Sequence, residues 1–177
     1  RNFTNLFAAP LKVSEVITAL TITALLRTFI GIIPAILLMN PFFGVSLLEL
    51  GPALFLLFLS LYLFGITLGL LVTSGLLRFG PAFENVAWSS LFILAPFGCV
   101  YYPLSILPDW LQIFAKCLPL VYIFEEARSI LINNIINYSN IISALILNLI
   151  YFISAISVFY LAFAGARKKG TLINMGE

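Results

Sequence analysis

Four stretches of this chain run for 21, 28, 24 and 38 residues without a charged side chain, between Arg27 and Glu49, Glu49 and Arg78, Glu84 and Asp109, and Arg128 and Arg167. A helix crossing a hydrocarbon core of about 30 Å needs roughly 20 mostly apolar residues, so each stretch can hold a crossing. They are too long for strands and do not alternate with period two. With 62% hydrophobic and 9% charged residues, the chain lacks the polar surface of a soluble domain, which is about one-quarter charged. Seventeen Phe also exclude an intrinsically disordered chain.

These features predict an all-α integral membrane protein with four transmembrane helices at 16–39, 52–77, 85–102 and 140–164. Asn40-Pro41 is expected to stop the first, Gly51-Pro52 to open the second, and Gly80-Pro81 to turn into the third. An even number of spans puts both ends on one side. That side carries Arg1, Lys12, Arg78, Arg167, Lys168 and Lys169 against Lys116 and Arg128 opposite, so the positive-inside rule makes it cytoplasmic. The chain opens on Arg1 rather than Met, and is expected to be a piece lacking its N-terminal part.

Segment 103–139 is outside by this topology, yet it is apolar and carries Pro103, Pro108 and Pro119. A helix is expected from Asp109, an anion suited to a first turn, to about 117. A second is expected after Pro119, with Ile123, Ala127, Ile130 and Leu131 on one face and Glu125, Glu126 and Ser129 elsewhere. Two helices too short to cross, between two spans, suggest a re-entrant or interfacial hairpin. At the front, Phe3, Leu6 and Phe7 share one helical face in a short amphipathic segment broken by Pro10.

Catalytic constellations are missing. The chain has no His, which removes His-dependent triads, zinc sites and proton relays. Cys99 and Cys117 are too few for a metal cage; they form one bridge or stay as two buried thiols. The net charge of +2 does not suggest nucleic acid. Gly165 to Thr171 has the glycine spacing of a phosphate loop, but Thr171 stands where that loop needs lysine and a membrane helix precedes it. Glu125 and Glu126, adjacent on a helix, do not face one bond and read as a wet outer rim beside Arg128.

Arg27 stands out. It is expected about eleven residues, roughly 16 Å, into the first span, where arginine costs on the order of 3 kcal/mol. It reads either as a substrate or gate contact or as a structural tie between helices. Asn148, Tyr151, Ser154 and Ser157 form a polar strip on the last span that suits a translocation path or interhelical hydrogen bonding. Gly65-xxx-Gly69 suits close packing, within the subunit or with another.

Arg78-Phe79-Gly80, Trp88, Pro96-Phe97, the run from Tyr101-Tyr102-Pro103 through Pro108-Asp109-Trp110-Leu111-Gln112, then Leu118-Pro119-Leu120-Val121-Tyr122 and Phe124-Glu125-Glu126-Ala127-Arg128, in this order, resemble the type-2 permease family of ABC exporters. Leu6-Phe7-Ala8-Ala9-Pro10-Leu11 resembles that family's cytoplasmic connector. The resemblance implies that residues 1–177 are one permease domain, the C-terminal two-thirds of a six-span subunit in the cell membrane of a bacterium or archaeon. It also implies a dimer with a second, identical permease and two ABC ATPase subunits, which hold ATP and Mg. The coupling segment would be about 2–9, with Phe3, Leu6 and Phe7 as contacts before Pro10. The outer gate would be the hairpin 103–134, with Tyr102, Pro103, Pro108, Trp110, Pro119, Glu125 and Arg128. Lys12 departs from the small hydroxyl residue many members carry there. Spans nearly free of charge suit amphipathic cargo such as lipids, lipid-linked glycans or hydrophobic drugs.

A secondary transporter or channel fragment independent of ATP is the alternative, although such sites usually use intramembrane carboxylates or broken helices. A membrane enzyme, an assembly factor or a structural protein would have to draw its chemistry from outside this chain. Lys168→Cys, in a background without the two native cysteines, should react with an impermeant thiol reagent only after cells are opened. Labelling of intact cells would invert the topology.

Overall fold

A computed structural model of the protein describes residues 13–44 and 50–169, and its regular elements are all helical among those residues. In chain order they are α1 (Val13–Phe43), α2 (Pro52–Phe79), α3 (Phe83–Phe97), a 3-10 turn at Leu104–Ile106, α4 (Asp109–Ala115), α5 (Pro119–Asn133) and α6 (Tyr138–Lys169).

Local chemistry explains most boundaries. Gly51 precedes α2 with φ 55°, and Pro52 takes the first helical position, where no N–H is needed. Gly80, at φ 80°, ends α2 and donates its N–H to the Leu76 carbonyl. Asn40-Pro41 does not stop α1, contrary to expectation: the helix runs on to Phe43, and the Gly44 N–H closes its last turn on the Asn40 carbonyl at 2.9 Å. Proline near a helix end removes only one donor, a loss the last turn tolerates.

Among the described residues, three helices are long and apolar enough to cross a membrane: Ser14–Phe42, Pro52–Phe79 and Tyr138–Lys168. The third expected crossing, 85–102, is helical only as α3, whose 15 residues rise about 22 Å. It ends early because Pro96 sits in the last turn and Cys99 adopts a left-handed φ of 54°. The Gly98 N–H then bonds back to the Leu94 carbonyl at 2.7 Å.

The centre of the bundle is a seam between α2 and α6. On α2, Ala53, Leu57, Ser60, Phe64, Thr67, Leu70, Ser74 and Leu77 are buried, at steps of three or four. On α6, Ile141, Ala144, Asn148, Ala155, Phe159 and Ala166 are buried with the same rhythm. Leu57 joins a cluster with Ala144, whereas Leu70 and Leu77 join Ala155, Phe159 and Ala166, so the two helices run parallel. Small side chains bring the backbones close, and the hydroxyls of Thr67 and Ser74 bond to carbonyls of their own helix at 2.9 and 2.6 Å.

Helix α1 lies against the outside of this pair. The Tyr62 hydroxyl donates to the Thr21 carbonyl at 2.5 Å, and the Phe29 and Phe58 rings stand 5.5 Å apart, so α1 is antiparallel to α2. Parallel α2 and α6 require the chain between them to return along the bundle, which α3 begins. The Phe83 ring occupies the space a Cβ on Gly75 would need. Gly65 and Gly69 face open space instead, so they do not pack within the described subunit.

Ala155→Leu should overpack the α2–α6 seam and destabilise the protein by about 1–3 kcal/mol. The measurement is a melting temperature in detergent; Ala164→Leu, on the exposed side of α6, should leave it unchanged.

Candidate functional site

After α3 the chain makes an irregular return, then dips and climbs. Cluster contacts among Cys99, Ala115 and Val121 hold residues 98–104 and α4 against the first turns of α5. A Cβ on Gly98 would come within 2.8 Å of the Leu120 side chain, so glycine allows α3 to end against α5. At the turn between α4 and α5, the Cys117 carbonyl accepts the Tyr151 hydroxyl at 3.1 Å. Tyr151 lies 13 residues into α6, about 20 Å from its start. The 15 residues of α5 climb a matching distance, about 22 Å, back to the start of α6. The α4–α5 hairpin therefore reaches to the middle of the last long helix.

Irregular backbone at that depth needs partners, and three groups of side chains provide them. The Arg128 guanidinium takes three acceptors at once: Glu125 Oε1 at 2.9 Å, the Val100 carbonyl at 3.0 Å and the Cys99 carbonyl. Glu125 Oε1 also accepts the Leu104 N–H at 2.9 Å. This clasp ties α5 to the segment following α3. A planar fork of donors suits such a site better than a point charge. Arg128 and Glu125 are half-buried, so the expected wet rim is instead a structural link.

Glu126, expected with Glu125 on a wet outer rim, instead forms the second group. Its side chain is fully buried; Oε1 accepts the Asn137 N–H at 2.6 Å and Oε2 the Asn140 side-chain amide at 3.1 Å. Asn137 in turn accepts the Ser139 N–H at 3.2 Å. The carboxylate thus sits at the N-terminus of α6, where exposed N–H groups and the helix dipole favour negative charge. Nothing in the sequence distinguishes it from its neighbour Glu125; the signal lies in Asn137 and Asn140 just beyond α5.

The third group ends the loop. The Tyr102 hydroxyl donates to the Pro96 carbonyl at 2.9 Å, and Gln112 Nε2 to the Leu107 carbonyl at 2.8 Å. Pro103 precedes the 3-10 turn, Pro108 precedes α4, and Pro119 is buried at the start of α5. Asp109 lies in the first turn of α4, directly after the N-cap Pro108. Trp110 is exposed, as is Cys117, whereas Cys99 is buried; both thiols are free. Leu131, expected on the buried face of α5, is exposed.

The polar strip of α6 does not stay on one face. Asn148 is buried in the seam, its Nδ2 on the Ser60 carbonyl at 3.0 Å and its Oδ1 unpartnered. Ser154 and Ser157 are exposed and bond to carbonyls of their own helix. Arg27 is exposed, on the face of α1 turned away from α2. The contacts of Thr21 with Tyr62 and Phe29 with Phe58 bracket it, setting it near the level of Leu59 and Ser60. The coupling candidates Phe3, Leu6, Phe7 and Pro10 lie outside the described residues. Among the described residues, no three His, Cys, Asp or Glu side chains converge in a metal-binding group.

A family model described as ABC-2 type transporter matches residues 1–132, which include all of α1 to α4 and nearly all of α5. No curated protein and no solved structure matches the chain.

Arg128→Lys should loosen the clasp, because one ammonium cannot serve both carbonyls and the carboxylate in the same fork. Losing a charge-assisted hydrogen bond costs about 1.5–3 kcal/mol. Amide exchange at Leu104 should then quicken by about tenfold or more; an unchanged rate would mean that the clasp does not hold that segment.

Proposed function

This chain belongs to the ABC-2 type transporter family, and from that premise we propose that it is the permease subunit of an ATP-driven exporter of amphipathic molecules. The single observation that carries the reading is the family match over 132 of the 177 residues. The depth of the α4–α5 hairpin supports it. A turn beside Tyr151, clasped to the end of α3, suits a re-entrant element that caps the exit on the outer side.

In this reading α1, α2 and α6 cross the membrane. α3, with the segment that continues it to residue 102, supplies the fourth crossing. The basic residues Arg78, Arg167 and Lys168 mark the cytoplasmic end, and both termini of this chain lie there, at the plasma membrane of a bacterium or archaeon. ATP and Mg bind to separate ABC ATPase subunits, and a second identical permease completes the dimer.

The coupling segment, with Phe3, Leu6 and Phe7 ahead of Pro10, docks on the ATPase and feeds directly into α1. Closure of the ATPases on ATP pushes this segment, and α1 moves as a lever against the parallel α2–α6 pair. Arg128 and Glu126 fasten the hairpin to its neighbours, so gate and pair move together. Exposure of the path then passes from the cytoplasmic to the outer side. Tyr102, Pro103, Pro108, Trp110, Pro119, Glu125 and Arg128 shape and support the gate. Arg27 and Tyr151 are candidates along the path, whereas Asn148, expected there too, is buried in the α2–α6 seam.

The deciding experiment is affinity purification of the complete protein from its native membrane in mild detergent. A stoichiometric nucleotide-binding subunit with ATP turnover is expected. Transport without such a subunit, in a preparation that keeps known complexes intact, would favour an ATP-independent transporter. Leu6→Asp with Phe7→Asp should abolish ATPase binding while the permease still inserts; retained binding would overturn the coupling assignment.

A further inference from the structure

We infer that Arg27 binds the anionic head of a membrane-dissolved amphiphile, which makes the cargo of this transporter an anionic amphiphile rather than a neutral one. The inference rests on the transport reading above and narrows its substrate class. Arg27 lies 14 residues into α1, about 21 Å from the start of a helix whose only other described charge is Glu15 in its first turn. Its level near Leu59 and Ser60 puts it closer to the gate end of α2 than to the opposite end.

The half-buried side of α1, with Ile17, Thr21, Leu25, Ile32 and Ile36, faces α2. Arg27 shares the opposite, exposed side with Leu20, Thr23, Gly31, Pro34 and Leu38. One turn beyond it, Gly31 leaves open space, since a Cβ there would meet nothing within 4 Å. The face therefore combines one cation, room beside it and apolar flanks above and below. That is the complement of an anionic group attached to a hydrocarbon chain. A charge in hydrocarbon needs a counter-charge or water.

The described acids are engaged or placed elsewhere. Glu125 is on Arg128, Glu126 is buried under Asn137 and Asn140, and Glu84 and Asp109 sit in the first turns of α3 and α4. Glu15 lies 12 residues back on α1, about 18 Å along the helix. Among the described residues of this chain no carboxylate stands beside Arg27, and guanidinium is the side chain best shaped for a phosphate or carboxylate head.

The test uses the complete transporter with its ATPase in nanodiscs of zwitterionic lipid, probed with dodecyl phosphate and with neutral dodecyl maltoside, and read by native mass spectrometry. Dodecyl phosphate should bind selectively. Arg27→Gln should weaken that binding tenfold or more, and Arg27→Lys by less. Equal binding of the two probes by the unaltered protein, or undiminished phosphate binding by Arg27→Gln, would overturn the inference. Discs containing phosphatidylglycerol separate the sources of the anion: binding that survives supports cargo, whereas displacement overturns the cargo assignment in favour of resident lipid. Absence of an ATPase would defeat the transport reading alone, because probe selectivity is read independently of ATP turnover.

Discussion

Backbone amides and carbonyls have no water to turn to inside hydrocarbon, and that constraint governs every part of this molecule. Long helices meet it internally. The segment between α3 and α5 cannot, because Pro96, Pro103 and Pro108 remove donors and the chain must reverse twice. Arg128, Glu125, Tyr102 and Gln112 take up the groups left over. The clasp thus permits non-helical chain at a depth where it would otherwise be unstable, and the hairpin exists because of it.

The seam of α2 and α6 supplies the rigid reference for that hairpin. Its helices pack Leu57, Leu70 and Leu77 of α2 against Ala144, Ala155, Phe159 and Ala166 of α6, where the alanines allow close van der Waals contact. Glu126 then joins the top of α6 to α5, and Tyr151 joins its middle to the hairpin turn. Two fastenings about 20 Å apart along one helix resist both tilting and sliding. A hairpin held in this way follows α6 as one body, which is the property that the proposed lever mechanism requires.

Much of this arrangement was legible in the sequence because its causes are local. Charge-free runs mark α1, α2 and α6, since hydrocarbon excludes charge whatever the neighbours are. Pro52, Gly80-Pro81 and Pro119 set boundaries through their own backbone geometry. The misreadings concern neighbours. Glu125 and Glu126 look alike until Asn137 and Asn140 fold back over one of them. Periodicity puts Asn148 and Ser154 on one helix but does not say which of them meets α2. Gly65 and Gly69 carry a packing motif that finds nothing within the described subunit. Pro41 and Pro96 differ for the same reason: the first sits in a turn that Gly44 can close, the second ahead of a left-handed Cys99.

The parallel pairing of α2 and α6 also dictates an order of assembly. Ser60 and Asn148 are 88 residues apart, so α2 enters the membrane well before its partner has been made. Thr67 and Ser74 can wait, because each hydroxyl already bonds to a carbonyl one turn back. Asn148 arrives last, bringing an amide that no carbonyl of its own helix is shown to satisfy, and the Ser60 carbonyl is already in place to receive it. The amide thus acts as a latch that closes only when the final helix reaches the right height.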